Sequence, residues 1–222
     1  MVQRTVYPID KDWEFKQTDK EDSSFLPVSQ FPTNVHLDLQ HHQVITDPFI
    51  GKNENDCQWV GEAAWTYQTT FDGPKINSGA KAVLAFDGLD TFARVSLNGK
   101  VILETDNMFI PKRVDVTGEL KEGENKLSIT FDSAYLRGWK RVEEHPKHEW
   151  GCWNGDNSRL AVRKAQYHWV SILLFHTVRE IMLTLLGMGL GTGTDYLRTL
   201  ETDQPRNLRI AHHGSLYQYR CG

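Results

Sequence analysis

Phe86-Asp-Gly-Leu-Asp-Thr-Phe-Ala-Arg-Val-Ser-Leu-Asn-Gly99, continued by Lys100-Val-Ile-Leu103, decides the fold. Thr91 to Leu97 alternates apolar and polar residues with the period of a half-buried strand, and a second apolar run begins at Lys100. Asn98-Gly99 between them is the strongest short-range hairpin signal, because a type I′ turn requires positive φ at both central residues. Working outward, Lys81 to Phe86 is a compact apolar run, and Ala64-Trp-Thr-Tyr-Gln-Thr-Thr-Phe71 is β-branched and aromatic with period two. Val114 to Val116 and Lys126 to Phe131 add two strands across the turn-rich stretch Lys121 to Asn125, and Trp13-Glu14-Phe15 alternates again. Many short strands with regular turn signals predict an all-β chain, a jelly-roll β-sandwich over residues 12–135 with Asn98-Gly99 at a hairpin turn.

Helical signals are few. Thr33 or Asn34 caps a short helix through Val35, Leu37 and Leu39, and Ala134 to Glu144 forms another that Pro146 ends. Beyond Trp169 the alternation stops. Val170 to Phe175 and Ile181 to Leu186 are apolar, Gly187 to Gly193 is glycine-rich, and Arg206 to Gly222 is polar. The expectation is an irregular, partly helical C-terminal tail that shares no core with the sandwich.

The 222 residues carry a net charge of −4, which gives no reason to expect nucleic acid or an anionic membrane as a partner. Cys57, Cys152 and Cys221 are scattered and odd in number, which argues against a disulfide framework or a zinc site. MVQRTVYPIDKDWEF lacks the apolar core of a signal peptide, and no apolar run reaches the ~18 residues of a membrane span. The expected setting is therefore cytoplasmic.

Several segments resemble the sugar-binding, galactose-binding-like N-terminal domain of family 2 glycoside hydrolases. Trp65 to Phe71 is similar to the first long sandwich strand of that family, and Phe86 to Gly99 to its most characteristic stretch. Asp106-Asn-Met-Phe109, Arg113-Val-Asp-Val-Thr117 and Gly123 to Phe131 continue in family order. Asp47-Pro-Phe-Ile-Gly51 and Arg159-Leu-Ala-Val-Arg-Lys-Ala-Gln-Tyr-His-Trp169 resemble the intracellular fungal type of β-mannosidase. The resemblance implies a retaining glycosidase that removes terminal non-reducing β-D-mannose from β-mannoside oligosaccharides without a cofactor. It covers residues 10–169, so residues 1–169 are expected to be the sandwich domain and 170–222 a tail foreign to the family.

In that family Tyr-His-Trp continues as Gly-Trp-Asp-Trp-Gly-Pro, whereas here Val170-Ser171 follows Trp169. Val-Ser can be written GTG AGT, a 5′ splice signal, and Met182-Leu183-Thr184 can be written ATG CTA ACN, which contains a CTAAC branch sequence. Gly187 to Gly193 can be written GGG ATG GGA CTG GGG ACC GG, and dropping its first base yields Gly-Trp-Asp-Trp-Gly-Pro. Val170 to Leu186 spans 17 codons; with one further base the insertion is about 52 nucleotides and shifts the frame. Under the same shift Leu200 to Asp203 yields Trp-Lys-Pro or Trp-Arg-Pro, similar to the next strand of the family. Residues 170–222 thus read as an unspliced intron followed by a frame-shifted exon.

Retaining hydrolysis needs two carboxyls about 5–5.5 Å apart, and in the family both lie in a later (β/α)8 barrel. No strand–helix alternation for a barrel is present, so no catalytic residue is assigned. Glu143, Glu144 and Glu149 read as solvated surface. His145-x-x-His148 and His41-His42 lack a third ligand, so no metal site is assigned, and Gly187 to Gly193 does not fit G-x-G-x-x-G. Trp150, Trp153 and Trp169, with Trp139, are the candidate sugar-facing residues, with packing against a barrel as the competing role. Two functions follow: an N-terminal fragment of a β-mannosidase, inactive alone, or a stand-alone carbohydrate-binding module. Oligomeric state is not indicated.

Overall fold

In the computed structural model, which describes residues 4–148, 161–164, 177–178 and 181–186, the alternating runs become strands. In chain order they are β1 (Arg4–Pro8), β2 (Glu14–Gln17), β3 (Leu26–Pro27), β4 (Thr33–Asn34), β5 (Trp65–Gly73), β6 (Lys81–Phe86), β7 (Leu89–Asp90), β8 (Phe92–Leu97), β9 (Lys100–Thr105), β10 (Lys112–Asp115), β11 (Gly123–Asp132), β12 (Thr177–Val178) and β13 (Ile181–Leu186). A six-stranded sheet runs β3-β2-β5-β11-β8-β9, a four-stranded sheet β1-β13-β6-β10, and a small one β4-β12-β7. Every pairing between named strands is antiparallel.

The period-two pattern decides which side chains meet. Ala93, Val95 and Leu97 of β8 and Leu127, Ile129 and Phe131 of β11 are buried, while Arg94 between them is exposed. They join Phe15, Trp65 and Tyr67 from the six-stranded sheet and Ala82, Leu84 and Phe86 from the four-stranded sheet in one apolar cluster. This is the expected two-layer sandwich.

The hairpin lies where its dipeptide predicts. Leu97 pairs with Lys100, and Asn98 and Gly99 have φ of 53° and 84°. The Asn98 amide does more than tolerate the turn. Its Nδ2 donates to the Glu119 carbonyl (3.0 Å) and to Asn125 Oδ1 (2.9 Å), and its Oδ1 accepts from Lys126 N (3.0 Å). The turn is thereby tied to the start of β11.

Both expected helices form. α1 (Val35–His41) is capped by Asn34, whose Oδ1 accepts from Leu37 N at 3.1 Å. Thr33, the alternative cap, instead donates to Asp38 at 2.8 Å. Two short helices, α2 (Asn53–Asp56) and α3 (Trp59–Glu62), follow. α4 (Ala134–Glu144) is capped by Ser133 Oγ, which accepts from Leu136 N at 3.0 Å and donates to the Gly61 carbonyl at 2.6 Å.

The tail departs from expectation where it is described. Residues 177–178 and 181–186 are strands rather than helix or irregular chain, and β13 joins the four-stranded sheet. Ile181 and Leu183 are 2% and 0% exposed within the common core, so this part of the tail does share it. The cause is non-local. Helix propensity differs by only tenths of a kcal/mol per residue, whereas the open edge of β6 offers a row of backbone partners and an apolar floor. The remainder of 170–222 lies outside the described residues.

Candidate functional site

A cluster of buried polar side chains lies around the link from β7 to β8. Lys164 Nζ donates to the carboxylate of Asp90, and the two side chains are only 4% and 6% exposed. Thr91 Oγ1 donates to the other oxygen of Asp90, and Thr105 Oγ1 of β9 donates to the Thr91 carbonyl at 2.9 Å. Burial pushes the Lys164 ammonium below the ordinary lysine range, against the opposing pull of Asp90. A buried ion pair of this kind is a weak source of net stability, because desolvation offsets its attraction. Its physical consequence is position.

That position is fixed at several points. Met108 N donates to the Arg163 carbonyl at 3.1 Å, and Asn107 and Arg163 form a parallel bridge. Arg141 of α4 reaches the Ala161 carbonyl at 3.0 Å. Residues 161–164 are thus held between the strand end, the 107–108 turn and α4. His36, at the start of α1, lies 4% exposed near Lys164; burial and that ammonium lower its imidazole pKa to about 4, so it is neutral at physiological pH.

A groove of about 590 Å3 opens beside this cluster, with Phe92 and Thr105 in its wall. Its charges are matched one to one: Arg94 with Glu104 at 2.8 Å, Arg137 with Asp132 at 2.6 Å, and Arg141 with Asp106 at 3.3 Å. The Arg141 and Arg137 guanidiniums stand 4.9 Å and 5.7 Å from the centre of the Phe92 ring, so the ring is capped by cations. Each carboxylate is engaged by a guanidinium, and none faces another as a free pair, the arrangement that retaining hydrolysis requires.

Trp150, Trp153 and Trp169 lie outside the described residues, as does Glu149. Trp139 sits on α4, 38% exposed, edge-on to Tyr135. Glu144 is 3.9 Å from Lys140 on the helix surface. Among the described residues no three His, Cys, Asp or Glu side chains converge as a metal site. His42 Nε2 contacts the Pro27 carbonyl at 2.6 Å and its ring packs on Phe15. No described helix is long and apolar enough to cross a membrane. Sequence reasoning missed Asp90, Lys164, His36 and Arg141. Asp90 and Lys164 both sit inside the two quoted family-like stretches, which is the one signal that singled out their neighbourhoods.

A family model described as glycosyl hydrolase 2 galactose-binding domain-like matches residues 13–170. Beta-mannosidase B of Thermothelomyces thermophilus is 71% identical over 169 residues, covering 76% of this chain and 20% of that protein. Beta-mannosidase B of Neosartorya fischeri is 51% identical over 165 residues, covering 73% of this chain and 20% of the relative. The crystal structure of β-D-mannosidase from Dictyoglomus thermophilum superposes with a TM-score of 0.66 at 33% identity, over 81% of this chain and 22% of that one. The chain therefore spans about a fifth of the length of the curated relatives it matches.

Proposed function

This chain belongs to the glycosyl hydrolase 2 galactose-binding domain-like family, and from that premise we propose that it is the N-terminal sandwich of a β-mannosidase that removes terminal non-reducing β-D-mannose from β-mannoside oligosaccharides. The observation that carries the proposal is the 71% identity to a beta-mannosidase B over 169 residues that make up only 20% of that protein. In this reading the catalytic carboxyl pair belongs to the remaining four-fifths, and the sandwich contributes a scaffold. In the same reading the 222 residues alone leave glycosides intact, because retaining hydrolysis needs a carboxyl pair that the reading places in the remaining four-fifths. The same reading places the enzyme in the cytoplasm, as the resemblance to intracellular fungal β-mannosidases implies.

The proposal extends to residues 170–222, read as an unspliced intron of about 52 nucleotides followed by frame-shifted exon. What supports it is the agreement of splice signals, branch sequence and recovered Gly-Trp-Asp-Trp-Gly-Pro with the place where family likeness fades. Sequencing the genomic DNA and the mature transcript past codon 169 tests it. A transcript that continues in the shifted frame into a barrel supports the enzyme. An uninterrupted frame ending at codon 222 in both supports the stand-alone carbohydrate-binding module instead. Purified 222-residue chain is expected to leave an aryl β-mannoside intact; turnover with host enzymes excluded overturns the assignment of catalysis to the missing part.

A further inference from the structure

Strand β13 occupies an interior position that the family match does not reach. The match ends at residue 170, yet Ile181–Leu186 lies between β1 and β6. It pairs with β6 from Ile181↔Phe86 to Leu186↔Lys81, and with β1 from Arg4↔Leu186 to Pro8↔Met182. Ile9 N adds a bond to the Ile181 carbonyl at 3.0 Å. Among the described residues β1 has no other strand partner. Without β13, the backbone groups along one edge of β6 face water, the core beneath Leu84 and Phe86 is uncovered, and β1 is detached from its sheet.

What the edge of β6 demands of its partner is modest. Backbone pairing is blind to side chains, and the inward requirement is an apolar residue at alternate positions: Ile181 and Leu183 are buried, Leu185 packs against the core half-buried, and Met182 between them is half-buried. We propose that the edge of β6 is a strand-acceptor site for an extended segment apolar at alternate positions. Ile181–Leu186 fills it here as an exchangeable occupant, and the same strand on a separate polypeptide can take its place. The inference does not depend on the β-mannosidase reading. It does account for a segment beyond the family-model match entering the core: what the slot asks of its occupant is a backbone ladder and inward apolar residues.

A fluorescein-labelled peptide of residues 177–186 is the probe, added to the full 222-residue chain and read by anisotropy. Leu183→Asp places a charge in the core and expels the chain's own strand, vacating the slot. Peptide is expected to bind this variant at least about 100-fold more tightly than wild type, where the tethered strand competes at high effective concentration. Met182→Asp, at an outer position, is expected to behave as wild type, and a peptide carrying aspartate in place of the buried leucine is expected not to bind. A folded Leu183→Asp chain that ignores the peptide overturns the proposal, and so does equal binding of the aspartate peptide. If Leu183→Asp is insoluble alone, it is co-expressed with the peptide fused to a carrier. Recovery of a soluble stoichiometric complex supports the slot, and failure to rescue overturns it.

Discussion

Replacing Lys164 by Met removes one partner of a buried ion pair and leaves the other in place. Asp90 stays where its side chain is 6% exposed, with the Thr91 hydroxyl still donating to one oxygen and nothing replacing the ammonium on the other. Stranding a buried charge in this way costs about 3–5 kcal/mol. A domain of this size loses roughly 2–4 °C of melting temperature per kcal/mol, so Lys164→Met is expected to melt about 6–20 °C below wild type. The double variant Asp90→Leu/Lys164→Met removes the charge along with its partner, and is expected to recover to within about 1 kcal/mol of wild type. Urea denaturation of the wild type, both single variants and the double variant closes the cycle and isolates the coupling from other contacts of Lys164. A Lys164→Met loss below about 1 kcal/mol, or a double variant no more stable than the single, refutes the assignment of Asp90 and Lys164 as the clamp on residues 161–164.

His36 makes stability fall in acid. Its folded pKa, about 4, lies below the unfolded value near 6.5, so below pH 6.5 the unfolded chain takes up a proton that the folded chain refuses. Its contribution is therefore full above pH 6.5 and is lost as pH falls towards 4, for about 3 kcal/mol in all. In His36→Gln the decrease in unfolding free energy between pH 7 and pH 4.5 is expected to be about 2–3 kcal/mol smaller than in wild type; parallel profiles by urea titration argue against a neutral buried imidazole. Asp38 is fully buried and accepts from Ser29 N, Ser29 Oγ and Thr33 Oγ1, each at 2.8 Å, and from the Tyr67 hydroxyl at 2.9 Å. Burial and this carboxylate hold the Tyr67 phenol well above its ordinary pKa. Asp38→Ala strands several buried donors and is expected to cost roughly 3–5 kcal/mol, with Asp38→Asn and Tyr67→Phe each under about 2. Equal losses for Asp38→Ala and Asp38→Asn by thermal melting would contradict the acceptor role.

Local signals were legible where local physics decides the outcome. Alternation placed β8 and β11, and the Asn98-Gly99 dipeptide placed the turn between β8 and β9 because positive φ is a property of two residues alone. The Asn34 cap was likewise readable from a residue type and the apolar positions after it. Pairings across long stretches of chain were not. Asp90 and Lys164 are 74 residues apart, and nothing near either predicts that both are buried. β1 escaped because all five of its residues are exposed, so it carries no burial alternation to detect. Ile181–Leu186 was misread because a leucine-rich hexapeptide satisfies helix and strand alike, and only the waiting edge of β6 decides between them. Composition nominated Trp150, Trp153 and Trp169 as sugar-facing, and these fall outside the described residues.

The sequence match and the sheet end in different places, and the difference has a physical origin. The family-model match runs to residue 170, while the sandwich takes in strand as far as Leu186. A β-sheet obtains much of its order from backbone groups that every residue possesses, and asks of side chains only an inward apolar face. The last strand to join can therefore be replaced with less loss than one near the centre. Around β5 and β11, Tyr67 stacks on Phe15, meets Phe131 edge-on and donates to Asp38, so side-chain identity there is over-determined. At β13 the counterpart is two buried aliphatic residues and a backbone ladder. A foreign segment can satisfy the second environment and would fail in the first. For this reason a well-formed four-stranded sheet does not argue that residues 170–186 were selected to complete it. The transcript past codon 169 and the exchange of β13 decide separate questions.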